Sequence, residues 1–150
     1  MKVIADNRNA FRLYEIEEKL EAGIQLLGDE VKSVRNNAVS LKEGYARVRK
    51  GELFLINVNI SEYGNSSLAK YNPKRDRRLL VHKKEINRLA GLQERQGYTI
   101  VPLQVYFKGN KVKVEIGLGK GKRKYDKRDD IKKREAKRDI DRAMKKNKQP

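Results

Sequence analysis

The sequence has no cysteine, no tryptophan and only one histidine among its 150 residues. Without cysteine the chain forms no disulfide and no cysteine-ligated zinc site, so it needs no oxidising compartment. A single histidine gives no basis for a Cys/His or Ser/His/Asp catalytic arrangement. No run of about 18 apolar residues is available to cross a membrane, and residues 1–6 do not resemble a secretory signal. We therefore predict a cytoplasmic protein that is not an enzyme.

Charge of one sign dominates the composition. Lys and Arg total 37 against 20 Asp and Glu, which gives a formal net charge of +17. An excess of this size repels itself in a compact chain unless the partner is a polyanion. A membrane surface is one such partner, but no amphipathic segment offers the large apolar face that surface binding needs. Nucleic acid is therefore the favoured partner.

Three features invite a chemical interpretation, and each has a simpler one. The glycine-rich run Gly117–Lys122 lacks the spacing and the Ser/Thr of a Walker loop, so we interpret it as a strand exit whose backbone passes close to phosphate. A metal site would need clustered carboxylates, but the pair Asp129–Asp130 lies in a basic run, so we interpret it as balancing local charge. For His82 we favour a structural or RNA-contacting role over catalysis. No cofactor and no metal site is predicted.

The positive charge is concentrated at the C-terminal end. Residues 119–150 hold 15 Lys and Arg against 6 Asp and Glu, a net charge of +9, whereas residues 1–118 carry +8. Apolar side chains are few in residues 119–150, so this segment cannot bury enough surface to offset its chain entropy. We predict a folded body at residues 1–118 and a basic tail at residues 119–150 that is disordered when free and becomes helical against RNA.

Alternation of apolar and charged residues predicts a hairpin near the end of the body. Residues 98–107 are rich in β-branched and aromatic side chains, and residues 112–118 alternate in character. A turn at residues 108–111 joins the two arms. Pro102 lies in the first arm and predicts an edge strand or a bulge there.

A second hairpin is predicted earlier in the chain. It runs from residues 45–49 through a turn at Lys50 and Gly51 to residues 52–60. Its second arm is expected to place one apolar set on a single face: Phe54, Ile56, Val58 and Ile60. Residues 13–27 also have the character of a strand, with Gly23 as a bend or bulge.

Two helices complete the body. Residues 83–96 place Ile86 and Leu89 on one face, and Gly97 fits the residue that ends a helix. A shorter helix is expected to begin with Asp29 as its N-cap. Short strands with a few helices predict a mainly β fold, a small closed β-barrel of the oligonucleotide-binding (OB) type with two or three flanking helices.

Basic clusters mark the candidate binding residues. Residues 74–78 contain three arginines, whose planar donors suit phosphate and whose faces stack on bases. Tyr71 beside them adds a stacking surface, and residues 120–128 set Tyr125 among lysines and arginines. Further along, four residues follow helical spacing as a narrow apolar stripe: Ala136, Ile140, Ala143 and Met144.

Motifs in nearly the whole chain together resemble the SsrA-binding protein family. Each motif is weak alone, but their order and spacing are specific. The segments that carry the resemblance are Asn7-Arg8, Tyr14-Glu15-Ile16, Glu21–Ile24, Glu30–Ser33, Gly51–Leu55, Arg78-Leu79-Leu80, Tyr98-Thr99, Val101–Leu103, Gly119–Lys122 and Asp126–Arg128.

The resemblance implies an OB-type barrel and an adaptor of trans-translation that works as a monomer. Such proteins bind the tRNA-like domain of transfer-messenger RNA and fill the space of its missing anticodon arm. With elongation factor Tu they deliver it to stalled ribosomes, whose small subunit receives the tail at the decoding centre and in the empty mRNA channel. The stalled peptide is then tagged for degradation.

The resemblance also implies which residues bind RNA. In the body these contacts fall on Asn7, Arg8, Glu21 and Leu80, to which we add the arginines Arg75, Arg77 and Arg78. Contacts with the ribosome fall on the tail, at Lys120, Lys122, Arg123, Lys124, Tyr125, Asp126, Lys127, Arg128 and Ile131. Departures from the family pattern at residues 9–11 and at Asp76 leave nearby contacts open.

Two other functions remain open at this level. A general rRNA-binding or ribosome-assembly protein would have the same composition. An RNA-processing enzyme would lose activity when a carboxylate or His82 is changed, while its RNA binding would remain. An adaptor would instead lose RNA binding when Glu21 or Leu80 is changed.

Overall fold

A computed structural model describes residues 1–64 and 71–122 of the chain. No helix in this part is long and apolar enough to span a membrane. The described strands are β1 (Lys2–Asp6), β2 (Tyr14–Ile24), β3 (Val39–Ser40), β4 (Tyr45–Arg49), β5 (Glu52–Ile56), β6 (Asn59–Ile60), β7 (Arg77–Leu80), β8 (Tyr98–Lys108) and β9 (Lys111–Gly121). The described helices are α1 (Arg8–Leu13), α2 (Gly28–Arg35) and α3 (Lys83–Gln96).

Six strands follow one another in a ring of antiparallel pairings. The order is β8, β4, β5, β7, β2 and β9, and β9 pairs back with β8. The shortest pairing joins β4 to β8 through Ala46 and Ile100 alone. Beyond this contact, the same edge of β8 pairs with β1 instead of β4. This ring with flanking helices confirms the predicted mainly β fold.

The main core lies inside the ring and under α2 and α3. A smaller apolar cluster lies outside the ring, where α1 packs Ala10 against Val101 and Leu103 of β8. The chain thus buries both faces of β8, which explains its near-continuous apolar sequence. The main core comprises Ala22, Val34, Leu41, Ala46, Leu53, Leu55, Val58, Ile60, Leu79, Ile86, Leu89, Ile100, Val105, Val114, Ile116 and Leu118.

The hairpin of β8 and β9 forms as predicted. Its register shifts between Pro102, which faces Ile116, and Gln104, which faces Glu115. This shift confirms a bulge at the proline. Pro102 also lies between the stretch of β8 that pairs with β4 and the stretch that pairs with β1, and bulges and gaps in pairing are where strands tolerate proline.

In the hairpin of β4 and β5, the prediction that one apolar set of the second arm shares a single face is only half correct. β5 buries Leu53 and Leu55, whereas Phe54 and Ile56 are half-buried. Asn57 then adopts a left-handed conformation with φ of 62°, which ends β5 and moves the side-chain alternation by one residue. The predicted residues beyond this turn are buried: Val58 and Ile60.

The long strand predicted at residues 13–27 is confirmed over the span of β2. The expected irregularity is misplaced, because the register shifts between Ile16 and Glu18 and not at Gly23. Gly23 is a regular member of the strand and pairs with Leu80 of β7. Its role is to admit a close neighbour, since a Cβ there would lie 3.2 Å from the Cβ of Leu80.

The two predicted helices are present. α3 spans the predicted residues and ends at Gly97, whose φ of 68° is left-handed. The N-cap prediction for α2 is wrong, because the helix begins at Gly28 after Leu27, and Asp29 lies inside its first turn. The backbone N–H of Leu27 donates instead to Oε1 of Glu30 at 2.8 Å.

The last described strand passes Leu118, the residue at which the predicted body ends. β9 continues to Gly121, and the backbone N–H of Lys122 donates to the carbonyl of Leu13 at 2.8 Å. Gly117 and Gly119 are therefore ladder residues rather than a strand exit. A Cβ on Gly119 would lie 2.5 Å from the carbonyl oxygen of Glu15, so this close approach requires glycine.

Candidate nucleic-acid interface

A shallow groove of about 380 Å³ lies between the end of β2 and the start of α3. We call it the Leu80 groove. The structure brings three of the predicted RNA-contacting residues into its lining: Glu21, Arg78 and Leu80. Two further lining residues add cationic and aromatic character: Lys113, which was not predicted, and His82, for which a structural or RNA-contacting role was favoured.

The alternation of β7 presents Leu80 to solvent. Arg77 and Leu79 point inward, and Arg78 and Leu80 point outward. Leu80 is 46% exposed, although its neighbour Leu79 is 1% exposed. Because Gly23 lies opposite and has no side chain, Leu80 packs against backbone and keeps its outer surface free. An exposed apolar side chain among charged groups is suited to contact a base or a sugar.

The carboxylate of Glu21 is held by two donors. The hydroxyl of Tyr106 donates to Oε2, and Nζ of Lys108 donates to Oε1 at 3.3 Å. The hydrogen bond from Tyr106 is the main cause that lowers the pKa of Glu21 below its usual value. Burial, with the bond to Glu21, raises the pKa of Tyr106, which therefore stays protonated as a donor. Glu21 is thus a fixed, ionised acceptor for base amino groups or a ribose hydroxyl.

The three arginines of residues 74–78 have different roles. Arg78 is exposed and lines the groove, with Nη2 at 3.5 Å from Oε1 of Glu52. Arg75 is partly exposed and its guanidinium binds Glu30. Arg77 is 0% exposed and presents no surface to RNA in this structure, so its predicted RNA contact stays a prediction.

Arg77 is instead a donor in a buried hydrogen-bond network. Its guanidinium donates to Glu30, to the hydroxyl of Tyr71 and to the carbonyls of Val58 and Pro73. Tyr71 also donates to Glu30, so the aromatic residue predicted as a stacking surface belongs to this network. The network ties α2 to the segments on both sides of residues 65–70.

Glu30 is the centre of this network and is itself 1% exposed. Burial raises the pKa of its carboxyl, but hydrogen bonds from Arg75 and from the backbone of Leu27, with the charge of Arg77, outweigh burial and lower it. A buried carboxylate stays ionised only when such donors compensate for its lost hydration. The network is therefore a structural support for β7, which carries Arg78 and Leu80.

The residues predicted near the N-terminus are split by the fold. Arg8 has a side chain that is 94% exposed, with Nε at 3.9 Å from the carboxylate of Asp6. Asn7 is 5% exposed, and its amide donates to the carbonyls of Pro102 at 2.9 Å and Leu41 at 3.3 Å. The amide donor of Asn7 is thus committed to the fold, and its predicted RNA contact stays a prediction.

Arg8 does not lie in the Leu80 groove. The register connects Glu21 to Glu115, Glu115 to Gln104, and Gln104 to Asp6. Three steps between strands correspond to roughly 14 Å. An RNA that contacts both Glu21 and Arg8 must therefore cross the outer face of β9 and β8.

Only the first two residues predicted to contact the ribosome are described. Lys120 lies on β9, with Nζ at 5.1 Å from the centre of the Tyr98 ring, and Lys122 follows the strand. The others lie outside the described residues: Arg123, Lys124, Tyr125, Asp126, Lys127, Arg128 and Ile131. The same holds for the predicted tail helix.

Sequence patterns gave no reason to place Tyr106 or Lys113 in this interface. Both belong to strands whose alternation indicates only an inward or an outward direction, and their contacts depend on which strands become neighbours. A signal was present for His82, the lone histidine directly after Leu80 and Val81. The structure places it before α3 at the rim of the groove. No group of three or more His, Asp or Glu within residues 1–64 and 71–122 is arranged to hold a metal ion.

Comparisons with known proteins agree with one another. The model of the family SmpB protein matches residues 4–146. The SsrA-binding protein of Microcystis aeruginosa is 57% identical over 146 residues, which cover 97% of this chain and 95% of that protein. The SsrA-binding protein of Oceanobacillus iheyensis is 53% identical, with coverages of 96% and 94%. A solved chain from "tmRNA-SmpB: a journey to the center of the bacterial ribosome" matches with a TM-score of 0.67 and 45% identity, over 83% of this chain and 87% of that one.

Proposed function

The chain belongs to the SmpB protein family, and on this premise we propose that it is an RNA-binding adaptor of trans-translation. It binds the tRNA-like domain of transfer-messenger RNA and substitutes for the missing anticodon arm. Its basic C-terminal segment enters the decoding centre and the mRNA channel of stalled ribosomes. The ribosomes are then rescued and the nascent peptide is tagged.

The observation that carries this proposal is the extent of the family match. It runs to residue 146 and so includes the basic segment as well as the barrel. A protein that only shared the fold would match the barrel alone. The structural relative comes from a tmRNA–SmpB ribosome study, which names the partners that the charge of this chain favours.

The Leu80 groove supports the choice of the RNA-binding face. It offers an apolar surface at Leu80, an ionised acceptor at Glu21 and cations at Arg78 and Lys113. This combination suits an unpaired nucleotide, whose base, ribose and phosphate need different partners. Asn7 and Arg77 contribute through the fold, and Arg75 contributes mainly through Glu30.

The assembly follows from the same proposal. The chain acts as a monomer and reaches the ribosome as part of a complex with transfer-messenger RNA and elongation factor Tu. Since ribosomes work in the cytoplasm, this is also its location. It needs no cofactor, because its role is to position RNA.

Sequencing the RNA that copurifies with the affinity-tagged protein tests the proposal. Transfer-messenger RNA should dominate, and Leu80→Ala should reduce its recovery while Arg47→Ala, on the exposed face of β4, should not. Recovery of mixed rRNA without transfer-messenger RNA would favour the general ribosome-assembly function.

A truncation tests the division between body and tail. It should follow Lys122, since β9 continues past Leu118. The shortened protein should keep its affinity for transfer-messenger RNA and lose peptide tagging. If the affinity falls with the tail, the proposed division is wrong. Loss of function in His82→Ala with normal RNA binding would favour the RNA-processing enzyme instead.

A further inference from the structure

A second cavity, of about 520 Å³, opens at the tip of the β8–β9 hairpin and is separate from the Leu80 groove. Its walls come from three elements: the first residues of β1, the end of α2 and the hairpin turn. We call it the hairpin-tip cavity. Its lining comprises Met1, Lys2, Arg35, Phe107, Gly109 and Asn110.

The charged side chains of the lining are both cationic. Lys2 and Arg35 are exposed, and neither forms an ion pair with any residue that the structure describes. Two further lysines lie outside the lining: Lys108 and Lys111 face each other across the hairpin turn, on the face opposite to Phe107. Cations gathered in one concavity raise the local potential and concentrate anions there.

The lining also offers an aromatic wall. Phe107 is half-buried, pairs with Lys2 across the β1–β8 ladder and packs its inner side against the core. Gly109 turns the hairpin with φ of 63° and places no side chain over the opening. Cations beside an aromatic surface make up the composition that binds a nucleic-acid strand.

The hairpin turn lies between the hairpin-tip cavity and the Leu80 groove. Lys108, at the hairpin turn, contacts Glu21 of the groove through Nζ and Oε1 at 3.3 Å. On β9, Lys111 at the tip and Lys113 in the groove are two residues apart, which is roughly 7 Å along a strand. Strand alternation puts these lysines on the face of the hairpin opposite to Lys2 and Phe107, so a single RNA strand that occupies both cavities passes around the hairpin tip.

We infer that the hairpin-tip cavity is a second RNA-binding site, in which Lys2 and Arg35 bind the phosphodiester backbone of the RNA held by the Leu80 groove. The inference rests on the proposed function and adds a site to it. The RNA contact then covers the end of the hairpin as well as the side formed by β2 and β7.

The salt dependence of RNA binding tests this site. Dissociation constants of the full-length protein with transcribed transfer-messenger RNA are measured from about 50 to about 200 mM salt. The logarithm of the binding constant falls linearly with the logarithm of the salt concentration, and each lost phosphate contact reduces the steepness of that slope by roughly 0.7 to 0.9. Arg35→Ala and Lys2→Ala should each reduce it by about that amount. Arg47→Ala, another exposed arginine, is the matched control and should leave it unchanged.

Unchanged slopes in both variants would overturn the inference, and so would an equal reduction in the control, which would indicate net charge alone. Because both side chains are exposed, thermal unfolding should be the same in all the variants. If the wild-type protein prefers another RNA, the proposed function fails, but the slopes measured on that RNA still test the site. Weakened binding of an acidic protein, with RNA slopes unchanged, would assign the cavity to a protein partner and contradict the inference.

Discussion

The hydroxyl of Tyr106 donates a hydrogen bond to the carboxylate of Glu21, although 85 residues separate the two in sequence. Tyr106 lies on β8 and Glu21 on β2, so the phenol reaches across β9, which runs between them. Tyr106 is 3% exposed, whereas Glu21 is at the surface. A buried side chain thus fixes the orientation and charge of a residue that lines the Leu80 groove.

Tyr106→Phe should release Glu21 and leave the ring packed in place. Without its main donor, the pKa of Glu21 should rise toward 4.5, which carbon-detected NMR titration of the carboxyl measures directly. RNA binding should weaken several-fold because the acceptor is no longer fixed. Tyr98→Phe, which removes the hydrogen bond to Glu17, is the matched control and should change neither quantity. An unaltered pKa of Glu21 would refute this role.

Leu79 and Leu80 should respond in opposite ways to replacement by alanine. Leu80 is exposed in the groove, so Leu80→Ala should weaken RNA binding roughly five- to tenfold and change the free energy of unfolding by less than about 1 kcal/mol. Leu79 is buried, so Leu79→Ala should cost about 2–5 kcal/mol of stability. Urea unfolding and RNA titration of the two variants check both statements. Equal effects on RNA binding, at temperatures where both remain folded, would contradict the assignment of the groove.

Glu30→Gln should be among the most destabilising single changes. It removes the charge that compensates Arg77, and an uncompensated buried charge costs about 3–5 kcal/mol. Glu43→Gln, at an exposed position, is the control and should cost less than about 0.5 kcal/mol. Urea unfolding at neutral pH measures both. A loss below about 1 kcal/mol for Glu30→Gln would show that the network is not a support of the fold.

The contribution of Glu30 should also depend on pH. Its pKa is lowered in the folded state, so its stabilising effect is complete above the ordinary value of 4.5 and is lost as the pH falls through the folded-state pKa. The difference in unfolding free energy between wild type and Glu30→Gln should therefore shrink below about pH 4.5. Urea midpoints of both proteins across this range provide the measurement, and a constant difference would contradict it.

Gly119 and Gly121 offer a matched pair on one strand. A Cβ on Gly119 would meet backbone of β2 at 2.5 Å, whereas the nearest atom to a Cβ on Gly121 is 3.7 Å away on the Tyr14 ring. Gly119→Ala should cost about 1–3 kcal/mol, and Gly121→Ala should be neutral within about 0.5 kcal/mol. Thermal unfolding distinguishes the two. An unaffected Gly119→Ala would mean that β2 and β9 separate easily.

Several features of the binding face could be predicted from sequence because they depend on local pattern. Alternation predicted β8 and β9, and the proline predicted the bulge that separates two partners of β8. The resemblance to a family supplied Glu21 and Leu80, which the fold then places in one groove. Alternation failed where a turn shifted it, as at Asn57, because periodicity does not continue through a left-handed residue.

By itself, the sequence determined the class of partner, the mainly β fold and the family. These follow from net charge, from side-chain period and from motifs in order, none of which requires knowing which segments meet. Only the tertiary structure decided which arginine of residues 74–78 is available to RNA. Arg77 and Arg78 are adjacent and chemically identical, but the pleat of β7 turns one toward Glu30 and the other toward solvent. That choice depends on strand pairing and on the burial of a carboxylate 47 residues away, which no local pattern records.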